Sequence, residues 1–379
     1  MNRFLFLSLL LGCAMEPIPT DKPHVSVDGT SDVSTGDEAV EETETPTDDG
    51  MSSDTGTAPE DEPAEDVEVT PSEDGPPYDD CADGRWPVPD WETGRPEDHG
   101  LSTEGLQEAA HYAGSEQSQC MIVAKDGVIV GEWYWGISAD TKVKNWSVAK
   151  SYAATVVGAA IDDGYIESLE SPLADYVEQW QGTDKEVVNV HDMLSMSSGL
   201  RFGLFRDNVM MALAGNMTRR AINNPLTNDP GELWEYNNHT VQMSEPVLRS
   251  ATGMAPQDYA KERLWEPMGM DVAWEEDRQG HAAMYMNTKA SCRDQLRFGY
   301  MYLRQGCWNG EQLISREFVQ KATSPSTEMN QGYGYWWWLN GGTPTLDSVT
   351  FEPHPEGILH PHAPADNYCA VGLGNQFIE

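Results

Sequence analysis

Ser147 and Lys150, in the stretch NWSVAKSYAATVV (145–157), are the pair best suited to do chemistry. Residues three apart on a helix share a face, so the hydroxyl and the amine can touch. A lysine buried among apolar side chains tends to lose its proton. The neutral amine is then a base, and a base beside a hydroxyl makes a nucleophile. The competing reading has Lys150 reach out to solvent while Ser147 merely caps the helix. An S-x-x-K string arises by chance in roughly every second sequence of this composition, so the rest of the chain must decide. A Ser–Lys nucleophile also needs a group that passes protons to the leaving atom. The stretch WEYNNHT offers Tyr236, with Asn238 two residues on, in a loop after Pro230-Gly231.

Other constellations carry less. The chain has no G-x-S-x-G elbow, so an α/β-hydrolase triad is not supported. His191 and His239 could imitate a Ser–His pair, but they read as a helix-start residue and a supporting residue. Gly372-Leu373-Gly374 is too short for a nucleotide fingerprint and lacks the strand–helix context. Neither a C-x-x-C pair nor an H-E-x-x-H string occurs, which argues against zinc.

Several elements must position these groups. LSTEGLQEAAHYA (101–113) has a helical pattern behind the capping residues Ser102 and Thr103. SQCMIVAK and VIVGEWYW, joined by Asp126-Gly127, spell a β-hairpin. The Ser147 helix ends near Asp163-Gly164, and VNVHDMLSMSSGL (188–200) predicts a helix that stops at Ser198-Gly199. PQDYAKERLWEPMGM (256–270) and SCRDQLRFGYMYLRQG (291–306) read as amphipathic helices, while YGYWWWL (333–339) and DNYCAVGLGNQFIE (366–379) read as strands. Tryptophans 336–338 should alternate faces on their strand, some lining the cleft and others packing inside. A hairpin, a helical middle and late strands suit an α+β fold. In it an antiparallel sheet, closed by the first and last segments, is flanked by helices and carries a mostly helical insertion.

Charge is distributed unevenly. Of the formal net charge of −40, residues 14–80 carry −21, with 22 Asp and Glu against Lys22 alone. That stretch has few large apolar residues and is expected to be a disordered acidic linker, its Glu41, Glu42, Glu44, Asp48 and Asp49 a solvated run rather than a metal site. The remainder is acidic too, which argues against nucleic acid as a partner. MNRFLFLSLLLGC (1–13) has Arg3, an apolar run too short to span a bilayer, and a Leu10-Leu11-Gly12-Cys13 string resembling a bacterial lipobox. The expectation is a secretion signal with Cys13 as the lipid-attachment site, and residues 14–80 as the tether between membrane and domain. An ordinary signal peptide with a chance cysteine is the alternative. Five cysteines then remain at 81–379, an odd number that allows at most two disulfides. Cys292 and Cys307 should not pair, because a helix between them would hold them on the order of 20 Å apart.

Taken in order, Ser147-Val148-Ala149-Lys150, HDMLSMSSGL, Tyr236-Asn237-Asn238, YGYWWW and AVGLGNQ make the chain similar to the serine β-lactamase-like hydrolases. The resemblance is greatest to the class C-related group of penicillin-binding D,D-peptidases, esterases and 6-aminohexanoate-dimer hydrolases, and covers the chain from about Trp86 onward. It implies a β-lactamase/transpeptidase-like fold with Ser147 as acylated nucleophile, Lys150 as its base and Tyr236 as proton shuttle. Asn238 would orient Lys150 or the substrate amide. The oxyanion hole would use the Ser147 backbone N–H and one near Gly372 or Leu373.

Two departures shape the expectation. Ala370-Val371-Gly372 stands where relatives carry K-T-G or H-x-G, so no cation grips a substrate carboxylate; this favours esterase or amidase work over penicillin turnover. Asn375 replaces a customary glycine. Relatives also continue beyond the equivalent of Glu379 with a strand and a covering helix, so the domain is expected to be truncated at its C-terminus, with one sheet edge left open. The combined expectation is a monomeric, exported, lipid-anchored enzyme of the cell envelope that cleaves a small ester, amide or peptide without metal or organic cofactor. The rival is a catalytically inactive binding lipoprotein of the same fold.

Overall fold

The computed structural model describes residues 81–379 except 83, 355–359, 361 and 375. The leader with Cys13, the linker 14–80 and Asn375 lie outside the described residues.

A short strand Glu92–Thr93 (β1) precedes helix Thr103–Ser115 (α1), whose start is capped by the Ser102 hydroxyl accepting the Gly105 N–H. The predicted hairpin follows as Cys120–Lys125 (β2) and Val128–Tyr134 (β3). Asp126 and Gly127 both have positive φ, 52° and 77°, the left-handed pair that a two-residue hairpin turn demands. Strand β1 pairs parallel to β3, giving a three-stranded sheet of order β1-β3-β2.

Val143–Lys144 (β4) then leads through a single 3-10 turn, Trp146–Val148, into helix Ala149–Asp162 (α2). Every residue of α2 from Ala149 to Ala160 is buried. Its small residues make this possible by letting neighbours approach closely. A Cβ on Gly158 would sit 2.5 Å from the Phe318 ring. On another side, the Tyr152 ring stacks on Phe298 with centroids 4.1 Å apart.

The helical middle comprises Val190–Leu194 (α3), Met217–Ile222 (α4), Asn238–Gln242 (α5), Ser244–Thr252 (α6) and Pro256–Ala260 (α7). Helix α3 is shorter than the pattern of 188–200 predicts. It starts with a capping box between Asn189 and Asp192, but Met196 adopts φ 62° and turns the chain away at once. Ala273–Trp274 (β5) and Thr288–Ala290 (β6) complete a second sheet, with β6 pairing antiparallel to both β4 and β5. Helix Cys292–Leu303 (α8), a small hairpin Cys307–Trp308 (β7) and Glu311–Gln312 (β8), and helix Arg316–Ala322 (α9) lead to the final sheet. That sheet pairs Trp338–Leu339 (β9), Tyr368–Gly372 (β10) and Gln376–Ile378 (β11) in the order β11-β10-β9.

The α+β class with antiparallel pairing holds. In one respect the arrangement differs from the expected closure by first and last segments: no strand pairing joins β1–β3 to β9–β11 among the described residues. Helix α8 couples the two sheets instead. Ile378 of β11 lies where a Gly299 Cβ would be 2.7 Å away, and Cys120 of β2 is bonded to Cys292, the first residue of α8. The YGYWWWL stretch also departs from an alternating strand. Trp336 has φ 61°, the Gly334 N–H donates to the Trp337 carbonyl at 2.9 Å, and Trp336, Trp337 and Trp338 are all buried. A tight turn can point consecutive indoles into one core, whereas a strand must alternate them.

Among the described residues the cysteines form two bonds, Cys81–Cys307 and Cys120–Cys292, and Cys369 stays a buried thiol. Cys292 and Cys307, at opposite ends of α8, do not pair. Replacing Cys120 and Cys292 together by serine is expected to cost about 2–5 kcal/mol of stability. The check is a lower denaturant midpoint for the variant than for the parent.

Candidate active site

Ser147 is half-buried and sits in the 3-10 turn that becomes α2. The residue before it, Trp146, is held at φ 48°, an uncommon conformation for a bulky side chain. Its neighbours fix it there. The Asn287 N–H donates to the Trp146 carbonyl at 3.0 Å, the Asn145 N–H donates to the Thr288 carbonyl at 3.1 Å, and the Lys144 ammonium lies 4.6 Å above the Trp146 ring. The Thr288 hydroxyl donates to the Asn145 side-chain oxygen as well. Strand β6 thus clamps the turn that presents Ser147.

Lys150, one helical turn on, is 1% exposed. Its Nζ donates to Ser147 Oγ at 3.1 Å and to the Tyr285 carbonyl at 2.8 Å. The i, i+3 contact expected from spacing is therefore present, and the reading in which Lys150 extends to solvent is excluded by its burial. Tyr236 comes to the same place from the loop before α5, its ring centre 4.7 Å from Lys150 Nζ. Aromatic neighbours hold that ring: it stacks on Trp338 at 5.8 Å and 27° and meets Tyr333 edge-on at 6.1 Å. Burial, and secondarily the Tyr236 phenol, push the Tyr333 hydroxyl well above its ordinary pKa, so Tyr333 remains a neutral wall.

Gly372 closes the other side of the turn. A Cβ there would lie 2.3 Å from the Asn145 carbonyl oxygen and 3.2 Å from the Ser147 nitrogen. Only a residue without a side chain lets β10 run this close to the serine backbone. Leu373 follows directly in the turn to β11. Gly372→Ala is expected to displace Ser147 and slow turnover by about 10²-fold, the usual cost of an ångström-scale misplacement. Steady-state ester hydrolysis, measured beside a circular-dichroism check of folding, tests it.

Asn238 is buried, and its amide donates at 3.2 Å to the Asp207 carbonyl and to Asn208 Oδ1. Its own Oδ1 is buried with no hydrogen-bond partner. Asn237 acts as the cap of α5, its Oδ1 accepting from His239 and Thr240. Sequence reasoning missed Asp207, fully buried with Oδ1 2.8 Å from His239 Nδ1. The only signal for it was His239 beside the Tyr236 motif, and nothing local linked that histidine to a carboxylate more than thirty residues earlier. The Glu235 carboxyl, next to Tyr236, is raised above the ordinary carboxylate range by burial first and by the Asp207 charge second.

A buried amine on a serine hydroxyl, with a tyrosine over the amine and a glycine strand against the serine backbone, is the arrangement on which a family comparison can be made. Residues 107–361, well over half of the chain, match the Beta-lactamase family model. The chain belongs to this family. Members of this serine β-lactamase-like family are serine hydrolases. An uncharacterised protein of Alkalihalophilus pseudofirmus is 23% identical over 263 residues, covering 60% of this chain and 72% of that protein. The 6-aminohexanoate-dimer hydrolase of Paenarthrobacter ureafaciens is 24% identical over 229 residues, covering 54% of this chain. The match spans 56% of that hydrolase, little more than half its length. Among solved structures, a Bacillus anthracis protein provisionally named a 6-aminohexanoate-dimer hydrolase superposes with a TM-score of 0.60 at 18% identity, over 71% of each chain. A Bacteroides dorei protein provisionally named a β-lactamase gives 0.55 at 20% identity, over 71% of this chain and 84% of its own. At such identities these likenesses speak for the fold of the β-lactamase-like domain.

Proposed function

We propose that the chain is a serine hydrolase that cleaves an ester or amide bond through an acyl-enzyme on Ser147. The observation that carries this reading is the 3.1 Å contact between the buried Lys150 amine and Ser147 Oγ. In the proposed cycle neutral Lys150 takes the hydroxyl proton as Oγ attacks the substrate carbonyl carbon. Charge on the former carbonyl oxygen would be met by the Ser147 N–H and by an N–H near Gly372 or Leu373, on the strand that runs against the serine backbone. The positive end of the fourteen-residue helix α2 adds to the field at this point. As the carbon–oxygen or carbon–nitrogen bond breaks, Tyr236 delivers a proton to the leaving atom and recovers one from Lys150. Water then attacks the acyl-enzyme by the same route in reverse, releasing the acid and restoring the Ser147 proton.

Two features refine the proposal. Asn238 has its amide committed to Asp207 and Asn208, which leaves its Oδ1 as the group to orient Lys150 or a substrate amide. Ala370-Val371-Gly372 on β10 supplies no cation for a substrate carboxylate, which favours neutral esters and amides over penicillins. The export signal, lipid attachment at Cys13, the tethering role of residues 14–80 and the monomeric state belong to the same proposal and rest on the sequence alone. So does the rival, an inactive binding lipoprotein.

Labelling with a fluorescent fluorophosphonate, followed by mass spectrometry of the modified peptide, tests the core of the proposal. Modification at Ser147 is expected, and a fully folded protein that takes no label, or takes it elsewhere, counts against it. Tyr236→Phe should keep fold and labelling site while slowing ester turnover by about 10²–10⁴-fold, the usual worth of a positioned acid–base group. Stopped-flow hydrolysis of p-nitrophenyl butyrate measures that change.

A further inference from the structure

Arginines are scarce in this chain, which has 23 Lys and Arg against 63 Asp and Glu. Three of them, Arg206, Arg219 and Arg220, nevertheless line a single cavity of about 380 Å³ together with Ala214, Gly215, Asn216 and Asn223. A fourth, Arg278, approaches from β5's side of the fold, its Cδ 3.8 Å from where a Gly215 Cβ would stand. Neither Ser147, Lys150 nor Tyr236 lines this space.

Like charges gathered in an acidic protein are ordinarily neutralised by carboxylates, and here they are not. None of the four arginines has an ion pair among the described residues. Three carboxylates on neighbouring elements are engaged elsewhere. Asp207, next to Arg206, is bonded to His239 Nδ1 at 2.8 Å and to the Gly203 N–H at 2.9 Å. Glu245 accepts the Thr218 hydroxyl at 2.7 Å and pairs with Arg249. Asp277 accepts the Met217 N–H at 2.7 Å and faces His281. Arg206 spends two donors, Nε and one Nη, on the neutral side-chain oxygen of Asn224 at 3.0 and 2.8 Å. Arg220 Nε is buried with no hydrogen-bond partner at all. A buried guanidinium N–H without an acceptor is costly, and the planar fork of arginine is the group best matched to an oxyanion.

We infer that this cavity is a second binding site, separate from the serine, for a small oxyanion: a phosphate group or a compound with several carboxylates. Its volume suits a ligand of that size, and its guanidinium and amide groups suit an anionic, polar ligand better than an apolar one. Arg206 and Asp207 are consecutive, and Asp207 with Asn208 holds Asn238 and His239, so the site adjoins the segment that supports α5 without sharing a residue with the catalytic set.

Titration calorimetry of the full chain at low ionic strength, with inorganic phosphate in one arm and citrate in the other, tests the inference. Saturable binding of at least one anion is expected, weakening as salt rises; the tighter arm identifies phosphate or polycarboxylate as the class. Arg219→Ala/Arg220→Ala should lose about tenfold or more in affinity, whereas Arg95→Ala, a surface arginine elsewhere, should bind as the parent does. If the double variant fails to fold, Arg219→Gln serves in its place, since that side chain is exposed. Absence of binding to both anions, or equal binding by the arginine variants and the parent, overturns the inference. Neither result depends on ester hydrolysis.

Discussion

Ser147→Ala is expected to lower kcat for p-nitrophenyl butyrate by roughly 10⁶ and to abolish fluorophosphonate labelling. The size follows from what the hydroxyl does in the proposed cycle: without it no acyl-enzyme forms, and Lys150 and Tyr236 have nothing to act on. Structure should survive the change. Ser147 is half-buried, its side chain makes one hydrogen bond with Lys150, and that amine keeps the Tyr285 carbonyl at 2.8 Å. An unchanged melting temperature with lost turnover is therefore the expected pair of results. Undiminished hydrolysis by the variant would remove Ser147 as the nucleophile, whereas a folded parent that neither hydrolyses the ester nor takes the label would leave the binding lipoprotein in its place.

Lys150→Met should cost about 10⁴ in turnover, the upper end of what a positioned base supplies, while retaining a folded protein. Methionine is the instructive replacement because it fills most of the space of a side chain only 1% exposed. Alanine would add a cavity among the residues packed on α2 and confuse loss of stability with loss of chemistry. Lys150→Arg should do no better than methionine, since guanidinium stays protonated and cannot accept the serine proton. Turnover by the arginine variant within tenfold of the parent would mean that some other group deprotonates Ser147. Comparing kcat with the labelling rate for each variant distinguishes a slow acylation from a misfolded site.

How far these features were legible in the sequence depended on how local their causes are. The Ser147–Lys150 contact follows from helical spacing, and the β2–β3 hairpin follows from Asp126-Gly127, because both are decided within a few residues. Tyr236 was found through the ordered motifs of a family, not through any rule that places a loop tyrosine over a distant lysine. Helix α3 and the WWW turn were misjudged for the opposite reason: Met196 and Trp336 take positive φ under the demands of packing, which periodicity does not record. The same is true of Asp207 against His239 and of the partner each cysteine takes. Counting cysteines gives two bonds and a remainder, but pairing is a property of the assembled core.

The bonds are nested, with Cys81–Cys307 enclosing Cys120–Cys292, and their partners lie 226 and 172 residues apart. During synthesis Cys81 and Cys120 emerge long before either correct partner exists. With Cys13 lipid-modified, as proposed, oxidation of thiols in the order of their appearance would join these two to each other. Reaching the native pattern then requires a thiolate to attack that early bond and exchange it, a step whose rate depends on access before α8 packs down. On this route the yield of correctly paired protein depends on disulfide isomerisation as well as on oxidation, and a host compartment that oxidises without reshuffling would accumulate a chain whose N-terminal hairpin is locked away from the helix it must join.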